Sequence, residues 1–148
     1  DCLLHISWKG RFTVINKKPL FIVDGAHNAG AADKMAESVR HYFNGKKLIY
    51  IMGVFADKEY KIVLEKTAHF AEKIYTIETP DNPRALPAEE LAKAARVYNS
   101  SAESTKSIKD AVEKAFSCAG DDENSAILAF GSLSFIGALT NAVEEYVG

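Results

Sequence analysis

The spacing of apolar positions along this 148-residue chain changes several times, and each change marks an element. Residues 12–16 (FTVIN) alternate and are rich in β-branched side chains, as a half-buried strand requires. Lys17-Lys18-Pro19 reads as a turn. Residues 20–24 (LFIVD) form a continuous apolar run, the pattern of a strand buried on both faces. So short a link makes the two strands an antiparallel hairpin. The period then lengthens to that of a helix. Ala32, Met35, Ala36, Val39 and Phe43 share one face, Asn28 is suited to cap the start, and Gly45 to end it. Residues 48–52 (LIYIM) are the next strand, followed by Gly53 and by a helix bearing Tyr60, Val63, Leu64 and Ala68, with Asp57 as its cap. Residues 73–78 (KIYTIE) are a strand and 80–83 a loop. Pro87 then opens a helix that turns Leu91, Ala94, Ala95 and Tyr98 inward. A faint strand signal lies at 102–104. Ser107-Ile-Lys-Asp110 resembles a capping box with Asp in place of the usual Glu. Its helix carries apolar residues at 108, 111, 112, 115, 116 and 119 and stops at Gly120. Residues 121–124 form a polar turn. Residues 125–130 (SAILAF) are a last buried strand, then Gly131-Ser132 leads into a helix through Tyr146.

Strands alternating with helices predict a three-layer, Rossmann-like α/β domain. Its sheet is mostly parallel, with an antiparallel N-terminal edge strand and helices on both faces. One domain fits the whole span, 1–148. Asp24-Gly25, Gly53, residues 79–84 and Gly131-Ser132 all follow strands. In a parallel sheet these loops share one rim, which is where ligands collect in such folds. Asp24, His27, Asp57, Arg84 and Ser132 then belong to that rim whatever the strand order.

Composition narrows the classes. Hydrophobic residues make up 47% and charged residues 26%, enough for a core without covalent staples. A formal net charge of −2 argues against a general attraction to nucleic acid or anionic membrane. No apolar run approaches the length of a membrane span. Cys2 and Cys118 have neither metal nor disulfide spacing, and Cys118 falls on an apolar helical stripe as a buried thiol. A reducing, cytoplasmic setting is the simpler expectation. The start at Asp-Cys-Leu, without methionine, is read as that of a piece of a longer protein.

The rim suits anions. A glycine after a strand lets a ligand approach the backbone, and a helix beginning just beyond directs N–H groups at it. Residues 25–28 and 131–134 have this form. Asp24 suits a ribose hydroxyl, a metal-bound water or an ammonium; alternatively it only braces the turn. His27 suits an anionic ligand or a proton transfer; alternatively it caps the helix. Arg84 follows Pro83, which stiffens the backbone behind a guanidinium suited to a carboxylate; the alternative is a surface salt bridge. Ser132 suits an anion at a helix start and lacks the Gly-x-Ser-x-Gly setting of a hydrolase nucleophile. Gly25 and Gly30 have P-loop spacing, yet Ala31 and Ala32 stand where that loop needs Lys and Ser or Thr. Triphosphate hydrolysis by this chain alone is therefore not expected. No two histidines have ligand spacing, so a metal site is not expected either.

Five motifs occur in an order that resembles a known family: Trp8-Lys-Gly-Arg11, Asp24-Gly-Ala-His-Asn28, Asp57-Lys-Glu59, Pro83-Arg84-Ala85-Leu86-Pro87 and Gly131-Ser132-Leu133. They resemble the carboxyl-terminal domain of folylpolyglutamate synthase and the related bifunctional dihydrofolate synthase, within the Mur ligase superfamily. The chain departs at Lys9 and Ala29, where the family usually has proline, and at Glu59, where it often has aspartate. The resemblance implies an ATP-dependent ligase. ATP would phosphorylate a folate or dihydropteroate carboxylate, and the amine of L-glutamate would attack the acyl phosphate. It implies that the P-loop and the Mg2+ ligands belong to an amino-terminal domain absent here. The chain alone would then be inactive, and the whole protein a monomer. Arg11 would reach ATP phosphate, Asp24 the ribose or nearby groups, and Asn28 would border the nucleotide. His27 and Ser132 would seat or orient glutamate and, with Asp24, make up the catalytic set. Arg84 would grip a glutamate carboxylate, and Asp57 and Lys58 would lie on the interdomain face.

Two other readings stand beside this one. Asp81-Asn-Pro-Arg84 leans towards an amino-acid-adding cell-wall Mur ligase. However, Asp24-Gly-Ala-His-Asn28 fits the folate enzymes better, and 52–57 (MGVFAD) lacks the glycine-rich stretch of the cell-wall ligases. The other is a nonenzymatic module that binds an anionic peptide or partner protein at the rim.

Overall fold

The computed structural model describes residues 6–8, 12–17, 20–24, 29–56, 59–80, 83–120, 123–131 and 135–147. Its strands are β1 (Ile6–Trp8), β2 (Phe12–Lys17), β3 (Leu20–Asp24), β4 (Lys47–Met52), β5 (Ala71–Thr76), β6 (Ala102–Ser104) and β7 (Ser125–Phe130). Its helices are α1 (Ala29–Tyr42), α2 (Tyr60–Thr67), α3 (Ala88–Arg96), α4 (Ile108–Ala119) and α5 (Ile136–Val147). Among the described residues the strands form one seven-stranded sheet, in the order β1-β2-β3-β7-β4-β5-β6. The pairs β1–β2 and β2–β3 are antiparallel, and all pairs from β3 onward are parallel.

The longest apolar runs fill the middle of the sheet. Every residue of β7 is buried, as is all of β4 after Lys47. On one face, Ala32, Met35 and Val39 of α1, Val63 and Leu64 of α2, and Leu91 and Ala95 of α3 pack against Ile22, Tyr50, Leu128 and Phe130. On the other, Ala111, Val112 and Ala115 of α4 and Leu139 and Val143 of α5 pack against Phe21, Ile49, Ile51 and Ile127. Each large aliphatic side chain so buried contributes about 1.5–3 kcal/mol of transfer free energy. Tyr50 puts a hydroxyl into this core. It is satisfied by donating to the Thr67 carbonyl at 2.8 Å, while the ring meets Phe130 edge-on at 4.9 Å. Burial pushes the Tyr50 phenol well above its ordinary pKa.

Local details refine the expectations. The three-residue strand β1 lies outside β2, so two strands rather than one run antiparallel at that edge. The α4 stripe and its Gly120 stop fall as expected, with Gly120 at φ 55°. The Ser107 hydroxyl accepts from the Asp110 amide at 3.0 Å; the Asp110 carboxylate reaches one residue further back, accepting from the Lys106 amide at 3.1 Å. α2 starts at Tyr60 with Glu59 in the cap position, two residues after Asp57, which lies outside the described residues. Pro87 is the cap of α3, not its first helical residue. Tyr98 is exposed and Ala92 is buried instead, because α3 ends at Arg96. Cys118 is half-buried rather than buried, at the flank of the α4 stripe. Among the described residues, no helix is long and apolar enough to cross a membrane.

Candidate functional site

The topology singles out one end of the sheet. β7 enters between β3 and β4, and the chain reverses its direction of travel across the sheet to put it there. The helix after β3, α1, packs on one face; the helix after β7, α5, packs on the other. Adjacent parallel strands whose following helices diverge leave a crevice at their carboxyl ends, where α/β sheets bind ligands. The register shows what lines up there. Asp24 is opposite Phe130, Phe130 opposite Met52, Met52 opposite Thr76, and Thr76 opposite Ser104. These residues end their strands in one row. The loop after β3 therefore starts within two strand spacings, about 10 Å, of the loop after β4.

Glycine permits the loops to close on one another. Gly131 has φ 119°, and a Cβ there would overlap the Gly53 carbonyl oxygen and meet Val54 Cγ1 at 3.0 Å. A Cβ on Gly53 would in turn meet Ile77 Cδ1 at 2.7 Å. The β7 loop thus rests backbone to backbone on the β4 loop. Beyond Gly53 the chain pairs with the segment that follows Pro83. Leu86 N–H donates to the Val54 carbonyl at 3.0 Å and Ala56 N–H to the Arg84 carbonyl at 2.7 Å, with Phe55 and Ala85 bridged between them. Val54 and Leu86 are buried and anchor this short ladder. Arg84 is exposed, and its guanidinium carbon lies 4.7 Å from the centroid of the half-buried Phe55 ring, in cation–π range.

Further along the rim, Thr79 is 1% exposed, and its Oγ1 has no hydrogen-bond partner among the described residues. It lines an open cleft of about 650 Å³ between the start of α4 and α5, with Lys106, Lys109 and Asn141. The edge strand β6 is fastened by charge: Glu103 bonds Lys114 at 2.9 Å and Lys73 at 3.0 Å. Those two hydrogen bonds, Lys114 first, hold the Glu103 carboxyl below the ordinary glutamate range.

Of the residues expected at the site, the structure places Asp24 and Arg84 on this edge. Asp24 is placed by its backbone alone, as the last residue of β3. Arg11, His27, Asn28, Asp57, Lys58 and Ser132 lie outside the described residues. Gly131, which precedes Ser132, is brought into contact with Gly53. Phe55 and Thr79 were not singled out from the sequence. Phe55 left one signal there, a large apolar side chain in a stretch with no strand or helix period. Among the described residues no three His, Cys, Asp or Glu side chains gather as a metal site requires.

This arrangement, a switch-point rim over a mostly parallel sheet, agrees with what the chain is similar to. Residues 10–133 match the family described as Mur ligase, glutamate ligase domain, and the chain belongs to that family. A dihydrofolate synthase/folylpolyglutamate synthase of Bacillus subtilis is 28% identical over 134 residues, covering 90% of this chain and 30% of the relative. The chain thus spans about a third of that relative's length. Two solved structures share the fold. One is Mycobacterium tuberculosis folylpolyglutamate synthase complexed with ADP and AMPPCP, at TM-score 0.77 and 24% identity over 97% of this chain and 33% of that one. The other is E. coli FolC in complex with DHPP and ADP, at TM-score 0.79 and 20% identity over 95% of this chain and 32% of that one.

Proposed function

We propose that residues 1–148 are the carboxyl-terminal domain of an ATP-dependent ligase that joins L-glutamate to folate or dihydropteroate. The observation that carries this reading is the match of residues 10–133 to the glutamate ligase domain, on a sheet whose switch point falls between the Asp24 and Gly131 loops. In the proposed reaction ATP activates the folate carboxylate as an acyl phosphate, and the glutamate amine displaces phosphate. An amino-terminal domain supplies the P-loop and holds Mg2+. This chain closes over the nucleotide, presents the amino acid, and does not catalyse alone. The whole protein acts as a cytoplasmic monomer.

Each role rests on chemistry at the rim. Arg11 meets ATP phosphate, and Asp24 accepts from the ribose or a neighbouring donor, with Asn28 beside the nucleotide. His27 and Ser132 orient glutamate so that its amine faces the acyl phosphate; removing freedom of approach in this way lowers the barrier. Donors fixed around the developing oxyanion lower it further. Arg84 pairs with a glutamate carboxylate. Its place beside the switch point supports this, since the 54–56 and 84–86 ladder holds its backbone to the β4 loop.

The test uses the full-length protein with ATP, L-glutamate and either dihydropteroate or folate. ADP release that depends on both glutamate and the pterin substrate is the expected result. No such release from a folded, ATP-binding protein overturns the reading. Within an active enzyme, Arg84→Ala is expected to raise KM for glutamate by about tenfold or more, the worth of a charge-assisted hydrogen bond.

A further inference from the structure

A hydroxyl without a partner marks a second place on the rim. Thr79 lies three residues beyond β5 and is 1% exposed, and its Oγ1 has no hydrogen-bond partner among the described residues. An unpaired hydroxyl in the interior is costly, and valine would fill the same space without that cost. The threonine methyl has its own neighbour: Cγ2 lies 3.3 Å from the point that a Cβ on Gly53 would occupy. The methyl therefore faces the β4 loop. The hydroxyl is the side-chain group left for the cleft of about 650 Å³ that Thr79 lines.

The start of α4 forms another wall of that cleft. Thr105 holds it there, donating to the Thr76 carbonyl from its N–H at 3.0 Å and from its Oγ1 at 2.7 Å. The Ser107 cap accepts from the Asp110 amide, which leaves the N–H groups of Ile108 and Lys109 ahead of the first intrahelical bond and directed outward. Lys106 and Lys109 add two exposed cations to the lining, and among the described residues neither is in an ion pair. Asp110, the acidic residue of this first turn, is committed elsewhere. Its carboxylate accepts from the Lys106 amide at 3.1 Å and lies 3.6 Å from Lys114 Nζ. Glu78 and Glu145 also line the cleft, so its attraction for an anion is local to the helix start.

The geometry points to a small-oxyanion site at the start of α4, with the Ile108 and Lys109 amides, the Lys106 and Lys109 ammonium groups and the buried Thr79 hydroxyl as its donors. It lies past the end of β5 on the face covered by α4 and α5, away from the crevice between the β3 and β7 loops, and it does not depend on the ligase reading. Two sources share the chemistry. An amino acid would set its carboxylate at the helix start and its ammonium towards Glu78 or Glu145. A phosphate would use the helix start alone.

The test is a titration of the 15N-labelled full-length protein with inorganic phosphate, and separately with L-glutamate, at an ionic strength held constant with sodium chloride. The Ile108 and Lys109 amide resonances are the readout, so binding at other sites does not enter. Saturable shifts are expected in at least one arm, and the arm that saturates names the source. A Lys106→Gln/Lys109→Gln variant should weaken that binding about tenfold, and Thr79→Val about fivefold. Without any anion, Thr79→Val should unfold at the same urea concentration as the parent or a higher one, since it removes an unpaired hydroxyl. No saturation in either arm overturns the site. So does saturation that both variants leave unchanged, which is an ion at a bare helix end. A lower urea midpoint for Thr79→Val overturns it too, because the hydroxyl would then have held a partner without the anion.

Discussion

The two ends of the sheet are held together by different means. At the amino end of the strands, side chains do the fastening. Asn99 Nδ2 donates to the Ala68 carbonyl at 2.8 Å and to the Ala71 carbonyl at 2.7 Å, and its Oδ1 accepts from the Ser101 amide and hydroxyl. Asn124 Nδ2 donates to the Gly45 carbonyl, and Lys47 Nζ to the Cys118 carbonyl. At the carboxyl end, among the described residues, the loops after β4, β5 and β7 also meet backbone to backbone, while side chains of Thr76, Ser104, Thr105, Ser107 and Asp110 fasten the neighbourhood of β6. Ile77 N–H donates to Met52, Leu86 to Val54 and Ala56 to Arg84, while Gly131 rests on Gly53. A side chain committed to a loop carbonyl has fewer donors left for a ligand. An end built from main-chain bonds and close glycines keeps its shape without using those side chains. Among the described residues the amino end is thus fastened mainly by side chains, and the proposed binding end more by main-chain contacts.

Breaking the glycine contact is expected to have the largest effect. Gly131→Ala must adopt a backbone conformation that L-residues avoid and push its Cβ into the Gly53 carbonyl. Strain and overpacking together should cost about 3 kcal/mol, read as a lower urea midpoint. The variant should also lose activity in the full-length protein, because the loops after β7 and β4 shift. At the other end, Asn99→Ala leaves the Ala68 and Ala71 carbonyls without their side-chain donor and should cost about 2 kcal/mol. If the contrast between the ends holds, Asn99→Ala lowers the midpoint and leaves KM for glutamate unchanged. A KM that rises with Asn99→Ala would show that the amino end is not separate from the site.

The sequence announced the two ends unequally. Residues 125–130 (SAILAF) and the α4 stripe were legible because burial on both faces, or on one helical stripe, writes a period into the chain. The rim was legible for the same reason: once the apolar strands are parallel, the residues after them must share an edge. β1 was not, since Ile6-Ser7-Trp8 is too short to show alternation. β5 starts two residues before its apolar run. Its first residue, Ala71, is tied down by Asn99, a contact 28 positions away that leaves no local trace. The pairing of 54–56 with 84–86 is equally silent, because two irregular loops meeting in space impose no period on either. That is why Arg84 could be picked out by charge and by Pro83, while Phe55 left only the faint signal of an apolar side chain without a period. The motif resemblance suggested the substrate class proposed above, which no periodicity carries.

The smallest expected effect at neutral pH concerns a residue that joins the two halves of this contrast. Tyr75 sits in β5 opposite Ile51, with its ring buried at 7% exposure and Cys118, at the end of α4, beside its hydroxyl. Burial, followed by the nearby Cys118 charge, pushes the phenol up to about 12. An unfolded tyrosine titrates near about pH 10. Between these values the unfolded chain gives up a proton that the folded chain keeps, so the contribution of Tyr75 is intact below about pH 10 and is lost as pH rises to about 12. Urea midpoints measured across that window should therefore decline, and Tyr75→Phe should decline less steeply. Below about pH 9 the phenol is neutral in both states, and the midpoints of the two proteins should run parallel. Lysine ion pairs also weaken in the alkaline window, but they are common to both proteins and drop out of the difference. Equal slopes would mean that the Tyr75 phenol meets water as freely folded as unfolded. The link between the β5 strand and the amino end would then be one of packing alone.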